Sequence, residues 1–439
     1  MRRYWLQGIA VTVFVFGMGW FASIISDYKI FSAFDSIGQA LQDTELTDYA
    51  FNKLRPEPKV DDRFVLVNIG YLSRGEIARE IAMISQHKPR VIGIDTFFNC
   101  EGNLYDTINC PQLLDTLGNL MLSNAIQEAG NIVLGEKLMQ TRKLAQQDVN
   151  ESDSLEISDP MFSEYSDEGF VTLPTNANSQ ADVKLCRSIW PTFNVAGKRE
   201  LAFSTAIAMK YDSVKTNKYL ARGKEEEIVN YRGNIEVNRS RVVTLKDNDI
   251  ATTNFKTMFT VIDHSDVLSG NFDPALFKDK VVMMGYLGTE LGDPSWEDKF
   301  FTPLNKKIGG RANPDMFGLV VHANIVAMIL NEDYIDEIEP WQQYLIAFIV
   351  CMLTVVLFSV IDEKLPIWYD ALSVIIQLVQ LVLLGFIVVY TFSGINLKLD
   401  LTLTFAATAL VGPCYDIYKS IQNEVLHRLT KRREKVLTE

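Results

Sequence analysis

The side chains that could do chemistry are a carboxylate that ends a strand, two loop carboxylates, and a histidine and an asparagine that begin a helix. Asp95 closes the buried-strand run VIGID. Open α/β sheets place their ligand crevices at the carboxyl ends of parallel strands, so Asp95 could hold a ligand or a cation. A carboxylate there is as often a cap for the following segment. The candidate ligand-binding residues are Asp95, Asp293, Asp298, His322 and Asn324.

His322 and Asn324 lie in an apolar helical start, VVHANIV, and Asp293 and Asp298 lie in the loop before it. A titrating histidine that faces a carboxylate would act as a pH or ligand switch. The alternative is a partly buried, hydrogen-bonded histidine that fixes the loop onto the helix. We favour this structural interpretation.

Motifs for catalysis, cofactors and metals are missing from the sequence. The segment GYLGTELG, residues 285–292, follows a strand but lacks the GxGxxG spacing and the Lys-Ser/Thr end of a phosphate loop, which favours a tight turn. No GxSxG, HExxH or paired HRD and DFG motif occurs. With four histidines and no CxxC, a zinc site is not expected. We expect no enzymatic activity, no catalytic residue, no cofactor and no metal.

The composition indicates a membrane protein with a large water-soluble part. The 439 residues are 48% hydrophobic and 22% charged, and the net charge is -13. An acidic chain argues against nucleic acid as a partner. Cys100 and Cys110 could close a short disulfide loop in an oxidising compartment, which would leave Cys186 unpaired. The sequence leaves open whether they pair.

Hydrophobic runs predict four transmembrane helices, since about 20 apolar residues cross a bilayer. Arg2 and Arg3 before the first run, and the basic segment HRLTKRREK after the last, place both ends in the cytoplasm by the positive-inside rule. A cleaved signal peptide is the alternative for the first run. The basic tail could also contact anionic lipid or dock a protein. The expected parts are transmembrane helices at 1–26, 341–361, 368–390 and 395–415, an extracytoplasmic domain at 27–340, and a basic cytoplasmic tail at 416–439.

The outer region predicts an α/β domain with a mostly parallel or mixed sheet. Residues 64–69, 74–86 and 91–95 read as strand, helix and strand, which is the length of a right-handed βαβ unit. A further helix and strand follow at 113–128 and 131–135. Later elements are predicted as a helix at 201–211, strands at 228–233 and 281–285, and a helix at 317–330.

The order of these blocks resembles the second type of the CHASE family of extracellular sensory domains. The blocks that carry the resemblance are LTDYAFNKLRPEPKVDDRFVLVNI, PRVIGIDTFF, VTLPTNANSQADVKLCRSIWP, NYRGN, FKDKVVMMGYLGTELGDPSWEDKFFTP and GLVVHANIVAMIL. The resemblance implies sensing and signalling across a membrane, with one helix before the domain and three after it. Relatives have an Asp-rich turn where this chain has Ile69-Gly70-Tyr71, which puts a shared role for that turn in doubt.

Function follows from this layout as an expectation. Residues 416–439 are too few for a catalytic domain, so we expect a sensor without its own effector that signals through a separate membrane or cytoplasmic protein. The expected location is the bacterial inner membrane, with the domain in the periplasm, a lipid bilayer around the helices, and an unidentified extracytoplasmic ligand. The alternative is a structural or assembly subunit of an envelope complex.

Overall fold

The fold divides into two units along the chain. Residues 51–335 form one of them, the α/β unit, and residues 1–50 with 336–439 form the other, the helical unit. The computed structural model describes residues 2–26, 45–55, 59–99, 111–141, 152–175, 185–235, 257–293, 296–305 and 313–438. The predicted disulfide between Cys100 and Cys110 lies outside these residues.

A mixed sheet forms the centre of the α/β unit. Over the described residues it has eight strands in the order β10-β11-β1-β12-β2-β3-β4, with β5 also paired to β3. All of these pairs are parallel except β3 with β4. The sheet strands are β1 (Phe64–Asn68), β2 (Val91–Ile94), β3 (Ile132–Met139), β4 (Ser154–Glu156), β5 (Asp167–Phe170), β10 (Asn234–Ile235), β11 (Thr257–Asp263) and β12 (Val281–Gly285).

The central strands are continuous apolar runs because both faces of the sheet are covered. All residues of β1 and β12 are buried, as expected for parallel strands between two layers of helices. Val65 and Val67 enter a core cluster with helices on one face, and the alternating residue Leu66 points to the other face. The unit is therefore a three-layer α/β/α structure.

Two groups of helices cover the sheet. The first packs against the Val65 face through Ile81 and Ile126, and the second packs on the opposite face. Ser73 and Glu76 form a capping box that begins α3 at Arg74. The helices of this unit are α3 (Arg74–Ser85), α4 (Thr116–Ala129) and α8 (His264–Ser269) in the first group, α6 (Phe203–Tyr211) and α9 (Gly318–Asn331) in the second, and the shorter or peripheral α5 (Pro160–Ser163) and α7 (Ser213–Leu220).

Small strand pairs lie outside the main sheet. They are β6 (Ser188–Ile189) with β9 (Glu227–Ile228), β7 (Thr192–Val195) with β8 (Lys198–Leu201), β13 (Lys299–Phe300) with β14 (Met316–Phe317), and β15 (Asp336–Glu337) with β16 (Leu397–Lys398). The strand predicted at 228–233 is therefore wrong beyond Ile228. The backbone of Arg232 and Gly233 bonds to the side chain of Asn324 instead of a neighbouring strand.

The helical unit contains long apolar helices. Among the described residues, three are long and apolar enough to cross a membrane: Arg3–Phe21, Pro340–Lys364 and Pro366–Ile395. A fourth span is less clear than the sequence predicted. The preceding helix ends at Ile395, where Asn396 adopts a φ of 53°, and the last helix begins only at Thr402. The helices of this unit are α1 (Arg2–Ser26), α2 (Leu46–Tyr49), α10 (Pro340–Lys364), α11 (Tyr369–Ile395) and α12 (Thr402–Thr438).

Candidate functional site

The candidate site lies at the carboxyl edge of the sheet, where the central strands end side by side. Asn68 at the end of β1 stands in register with Asp263 of β11 and with Gly285 of β12. Strand β2 ends beside β12, and the next residue, Asp95, donates its backbone N–H to the Met284 carbonyl at 2.8 Å. The loops after these strands therefore share one edge, as in other open α/β sheets.

Asn68 and Asp263 shape this edge, and sequence reasoning missed both. The Asn68 amide donates to Asp263 Oδ1 at 3.0 Å, and its Oδ1 accepts the backbone N–H groups of Gly70 and Leu287. Asp263 Oδ2 accepts the backbone N–H of Leu291 at 3.1 Å. The two buried side chains thus hold the loops after β1 and β12. The signal that could have found them is a polar residue at the end of each buried run.

Asp95 and Asp298 lie near enough for their charges to interact, beside the N-terminus of α9. A Cβ atom on Gly285 would lie 3.1 Å from the Asp95 Cβ, and one on Gly318 would lie 3.1 Å from Asp298 Oδ2. The Asp298 carbonyl accepts the N–H of Gly318, the first residue of α9. Burial raises the pKa of Asp95 well above its usual range, and the Asp298 carboxylate raises it further.

The positive end of the α9 dipole lies next to this pair. Phe317 precedes the helix and offers no side-chain cap, so the Asp298 carboxylate is the negative group at the first turn. Lys299 follows Asp298 in the chain, and its ammonium lies 4.5 Å from the centre of the Phe317 ring. Burial lowers the pKa of Lys299, and Asp293 opposes this shift. The arrangement could bind a cationic or hydrogen-bond-donating group between the two carboxylates.

Asp293 stabilises the loop after β12. Its Oδ2 accepts the backbone N–H of Thr289 at 3.0 Å and the Thr289 hydroxyl at 2.6 Å. Its main-chain carbonyl accepts a bond from Lys299. The structure therefore places Asp293 in the same loop as Asp298, with its carboxylate bonded inside that loop.

Aromatic side chains line the rim of the edge. The Tyr71 and Tyr286 rings lie 5.3 Å apart, and both hydroxyls donate to Glu297 Oε2. The hydrogen bond to Glu297 raises the pKa of Tyr71. Tyr71 is 68% exposed and Trp296 is 60% exposed. The rim thus offers two large aromatic surfaces to solvent next to the carboxylates.

His322 lies along the buried body of α9. Its Nε2 is 3.2 Å from the Val171 carbonyl, and its ring meets the Phe203 ring edge-on at 5.3 Å. Burial lowers the pKa of His322 to about 4, so the ring is neutral near pH 7. These contacts join α9 to α6 and to the end of β5.

Asn324 forms the most complete set of hydrogen bonds on α9. Its Oδ1 accepts the backbone N–H groups of Arg232 and Gly233, and its Nδ2 donates to the Gly233 carbonyl at 2.9 Å and the Val320 carbonyl at 2.9 Å. Asn324 is 1% exposed. It therefore fixes the NYRGN segment, residues 230–234, onto the helix.

The NYRGN segment also ties the start of the α/β unit to its end. Asn230 Oδ1 accepts a bond from Arg55, and Asn230 Nδ2 donates to the Asp333 carbonyl at 2.9 Å. Arg232 bonds the Asp333 carboxylate at 2.5 Å, and the Arg55 guanidinium lies 4.2 Å from the centre of the Phe51 ring. Burial lowers the pKa of Arg55 to about 9. We call Arg55, Asn230, Arg232 and Asp333 the exit clamp.

Helix α9 joins the two regions. It begins beside Asp298 and ends at Asn331, two residues before Asp333 of the exit clamp. Every residue from Gly318 to Leu330 is buried.

Over the described ranges, no three His, Cys, Asp or Glu side chains are grouped as metal ligands.

The comparison with protein families agrees with the resemblance seen in the sequence. The family model of the CHASE2 domain matches residues 34–358. No curated protein and no solved structure matches the chain. The matched range covers the whole of the α/β unit and extends into the helical unit on both sides, so the predicted family is confirmed.

Proposed function

Because the chain belongs to the CHASE2 family, an extracellular sensory domain family, we propose that it is a membrane-anchored sensor whose α/β unit binds a ligand or partner outside the membrane. The observation that carries the proposal is the approach of Asp95 and Asp298 at the N-terminus of α9. A bound cation would favour the ionised form of Asp95, which burial otherwise disfavours. The site would therefore select a ligand with an ammonium, guanidinium or metal cation.

Helix α9 is the proposed route by which binding is transmitted. A ligand that bridges Asp95 and Asp298 would pull on the first turn of α9, and a well-packed helix moves as a rigid element. The exit clamp connects the far end of α9 to Arg55 at the other boundary of the unit. Coupling requires two positions of α9 that bind the ligand with different affinity.

The topology we propose has four spans, with both ends in the cytoplasm of a bacterial cell and the α/β unit in the periplasm. Contacts of α12 support its role as the fourth span, although the polar C-terminal part of this helix lowers its mean hydropathy. Lys419 pairs with Asp362 of α10, and the Tyr369 hydroxyl of α11 donates to Asp416. A buried cluster includes Val411 and Cys414 of α12 with Val11 and Val15 of α1 and Val355 of α10.

We further propose that the signal passes to a separate protein at the inner end of α12. Ile417, Ile421 and Val425 are exposed and four residues apart, so they lie along one side of the helix. Such a stripe suits contact with an amphipathic helix of a partner. Arg428 and the neighbouring basic residues favour an acidic partner helix.

Ligand binding at the carboxyl edge is tested by thermal unfolding of the full chain in detergent with calcium, magnesium, spermidine and arginine as probes. We expect at least one probe, near 100 times its Kd, to raise the Tm of the wild-type protein by roughly 5 °C. Asp95→Asn with Asp298→Asn should abolish the shift. Asp62→Asn is the matched control, because the Asp62 side chain is 90% exposed and lies two residues before β1. An unchanged shift in the double variant would contradict the proposal.

A structural or assembly subunit of an envelope complex is the second candidate. Exposed apolar residues on the α/β unit favour it: Leu114 is 71%, Leu117 is 70% and Leu120 is 52% exposed. Single exposed leucines are ordinary, but neighbouring ones at helical spacing mark protein contacts. In a structural subunit, a partner would stay bound to this surface at all times. In a sensor, binding of the partner would depend on the ligand.

Co-purification in mild detergent separates the two candidates. A subunit is expected to retain a partner in fixed ratio without any added small molecule, and Leu117→Glu with Leu120→Glu should remove at least about 90% of it. Val214→Glu is the control, since Val214 is 68% exposed on α7. Retention of the partner by the double variant would count against the subunit.

A further inference from the structure

A group of uncharged polar side chains lies between α10, α11 and α12. The Gln380 amide of α11 donates to the Thr354 hydroxyl of α10 at 2.9 Å, and the Gln377 amide donates to the Thr408 carbonyl of α12 at 2.8 Å. Thr404 lies one turn before Thr408 on the same helix. We call Thr354, Gln377, Gln380, Thr404 and Thr408 the polar layer.

Pro413 explains the position of Gln377 in this layer. Proline lacks an N–H group, so Pro413 leaves the Ala409 carbonyl without its helical donor. The Gln377 amide lies 3.3 Å from that carbonyl as well as bonding Thr408. A Cβ atom on Gly412 would lie 2.8 Å from Gln377 Oε1, so glycine is what allows this side chain to reach the freed carbonyl.

Three polar atoms of the layer have no partner among the described residues. They are Gln380 Oε1 and the hydroxyls of Thr404 and Thr408. Thr404 is 1% exposed and Thr408 is 0% exposed. Two other hydroxyls of the bundle bond to their own helix: the Thr391 hydroxyl donates to the Ile387 carbonyl and the Ser359 hydroxyl donates to the Val355 carbonyl, each at 2.8 Å. The Thr404 and Thr408 hydroxyls make no such bond within the described residues.

We propose that the polar layer binds ordered water between the three helices. Hydrocarbon offers no hydrogen bonds, so unpartnered groups inside a bundle are costly unless a polar molecule reaches them. Water fits because the layer combines hydroxyl donors with amide and hydroxyl acceptors, carries no charge, and a buried water makes about three hydrogen bonds. The inference rests on the proposed placement of α12 as a membrane span.

Bound water would allow α12 to bend near Pro413. The Ala409 carbonyl could exchange Gln377 for a water molecule at little cost, because water-mediated bonds are nearly as favourable as direct ones. A helix with a proline and an adjacent hydrated layer can therefore adopt two nearby shapes. The polar layer would then be where the bundle changes conformation during signalling.

Isosteric substitutions test whether the layer is hydrated. In the full chain in detergent, Thr404→Val and Thr408→Val are each expected to lower the Tm by roughly 2–4 °C, because each removes a bond to water. Thr391→Val is the matched control and should change the Tm by less than about 1 °C. If the layer is dry, each of these two substitutions should raise the Tm instead, because replacing an unpartnered buried hydroxyl by a methyl group stabilises the folded protein.

Water-edited solid-state NMR of the protein in lipid bilayers gives a second readout that does not depend on stability. We expect rapid magnetisation transfer from water to Thr404 and Thr354, and at least a twofold loss of that transfer in Thr408→Val. Transfer to Thr404 and Thr354 no faster than to the lipid-facing residues of α11 would overturn the proposal.

A separate labelling experiment tests the proposed placement of α12 as a membrane span. In a background without the native cysteines, Thr408→Cys should resist a membrane-impermeant maleimide, whereas Ser420→Cys should react from the inner side of vesicles. Labelling of Thr408→Cys would show that α12 is outside the membrane and that bulk water, rather than bound water, reaches the layer.

Discussion

Asn324→Leu is expected to destabilise the α/β unit by about 3–5 kcal/mol. Leucine fills the same space but leaves the N–H groups of Arg232 and Gly233 and the Gly233 carbonyl without their partner. Each buried backbone group left unsatisfied costs about 1–3 kcal/mol. The measurement is the Tm of the full chain in detergent, which should fall by roughly 10 °C.

Asn194→Leu is the matched control for this prediction. Asn194 is exposed on the β7 strand, so the same change there should alter stability by less than about 0.5 kcal/mol. Release of the NYRGN segment from α9 should also expose the exit clamp to proteolysis. If Asn324→Leu and Asn194→Leu unfold at the same temperature, the assigned role of Asn324 is wrong.

Glu80→Gln is expected to stabilise the protein at pH 8 and leave it unchanged near pH 4. Glu80 is fully buried on α3, and neither carboxylate oxygen has a partner among the described residues. Burial, then the charges of Asp263 and Glu76, raise the pKa of Glu80 to about 8. The folded protein therefore keeps a proton that the unfolded chain releases above its ordinary value of 4.5.

The sign of the pH dependence follows from this difference in bound protons. Stability falls as pH rises from about 4.5 to about 8, because there the unfolded state binds fewer protons than the folded state. The total loss from Glu80 is on the order of 3–5 kcal/mol. Burial also raises the pKa of Glu136 and of Asp315, to about 7, so both groups lower the stability as pH rises. Both are present in the Glu80 variant and in the wild type, so their contributions to the pH dependence cancel in the comparison.

The comparison is made by measuring Tm against pH for wild type, Glu80→Gln and Glu128→Gln. Glu128 is exposed on α4 and serves as the control. The curve of Glu80→Gln should be flatter than that of wild type and should separate from it above about pH 5. Parallel curves for all three proteins would show that Glu80 is ionised in the folded state.

Much of the fold was predictable because its signals are local. Strands β1, β2 and β12 are continuous buried runs, and the strong pattern of α3 begins at its Ser73 capping box. The family was predicted from blocks of sequence and is confirmed. The span predicted at 395–415 differs from the helix because Lys398 and Asp400 lie in the connection before Thr402.

Strand β11 and the NYRGN segment show why the rest was not predictable. The pairing of β11 with β1 brings together Asn68 and Asp263, which are 195 residues apart in the chain. Residues 228–233 were predicted as a strand, yet the backbone N–H groups of Arg232 and Gly233 bond to the Asn324 side chain on α9. The local sequence shows that Asn68 and Asp263 each end a buried run, but it does not show which remote residue each of these groups contacts.

The sequence by itself determined the apolar helices, the buried parallel strands and the family, because each depends on residue types close together in the chain. Only the tertiary structure decided which of the candidate residues meet. It brings Asp95 to Asp298 at the start of α9 and places His322 and Asn324 along the body of that helix. The reason is that sheet order and helix packing set distances between remote residues, and a single sequence does not encode these distances locally.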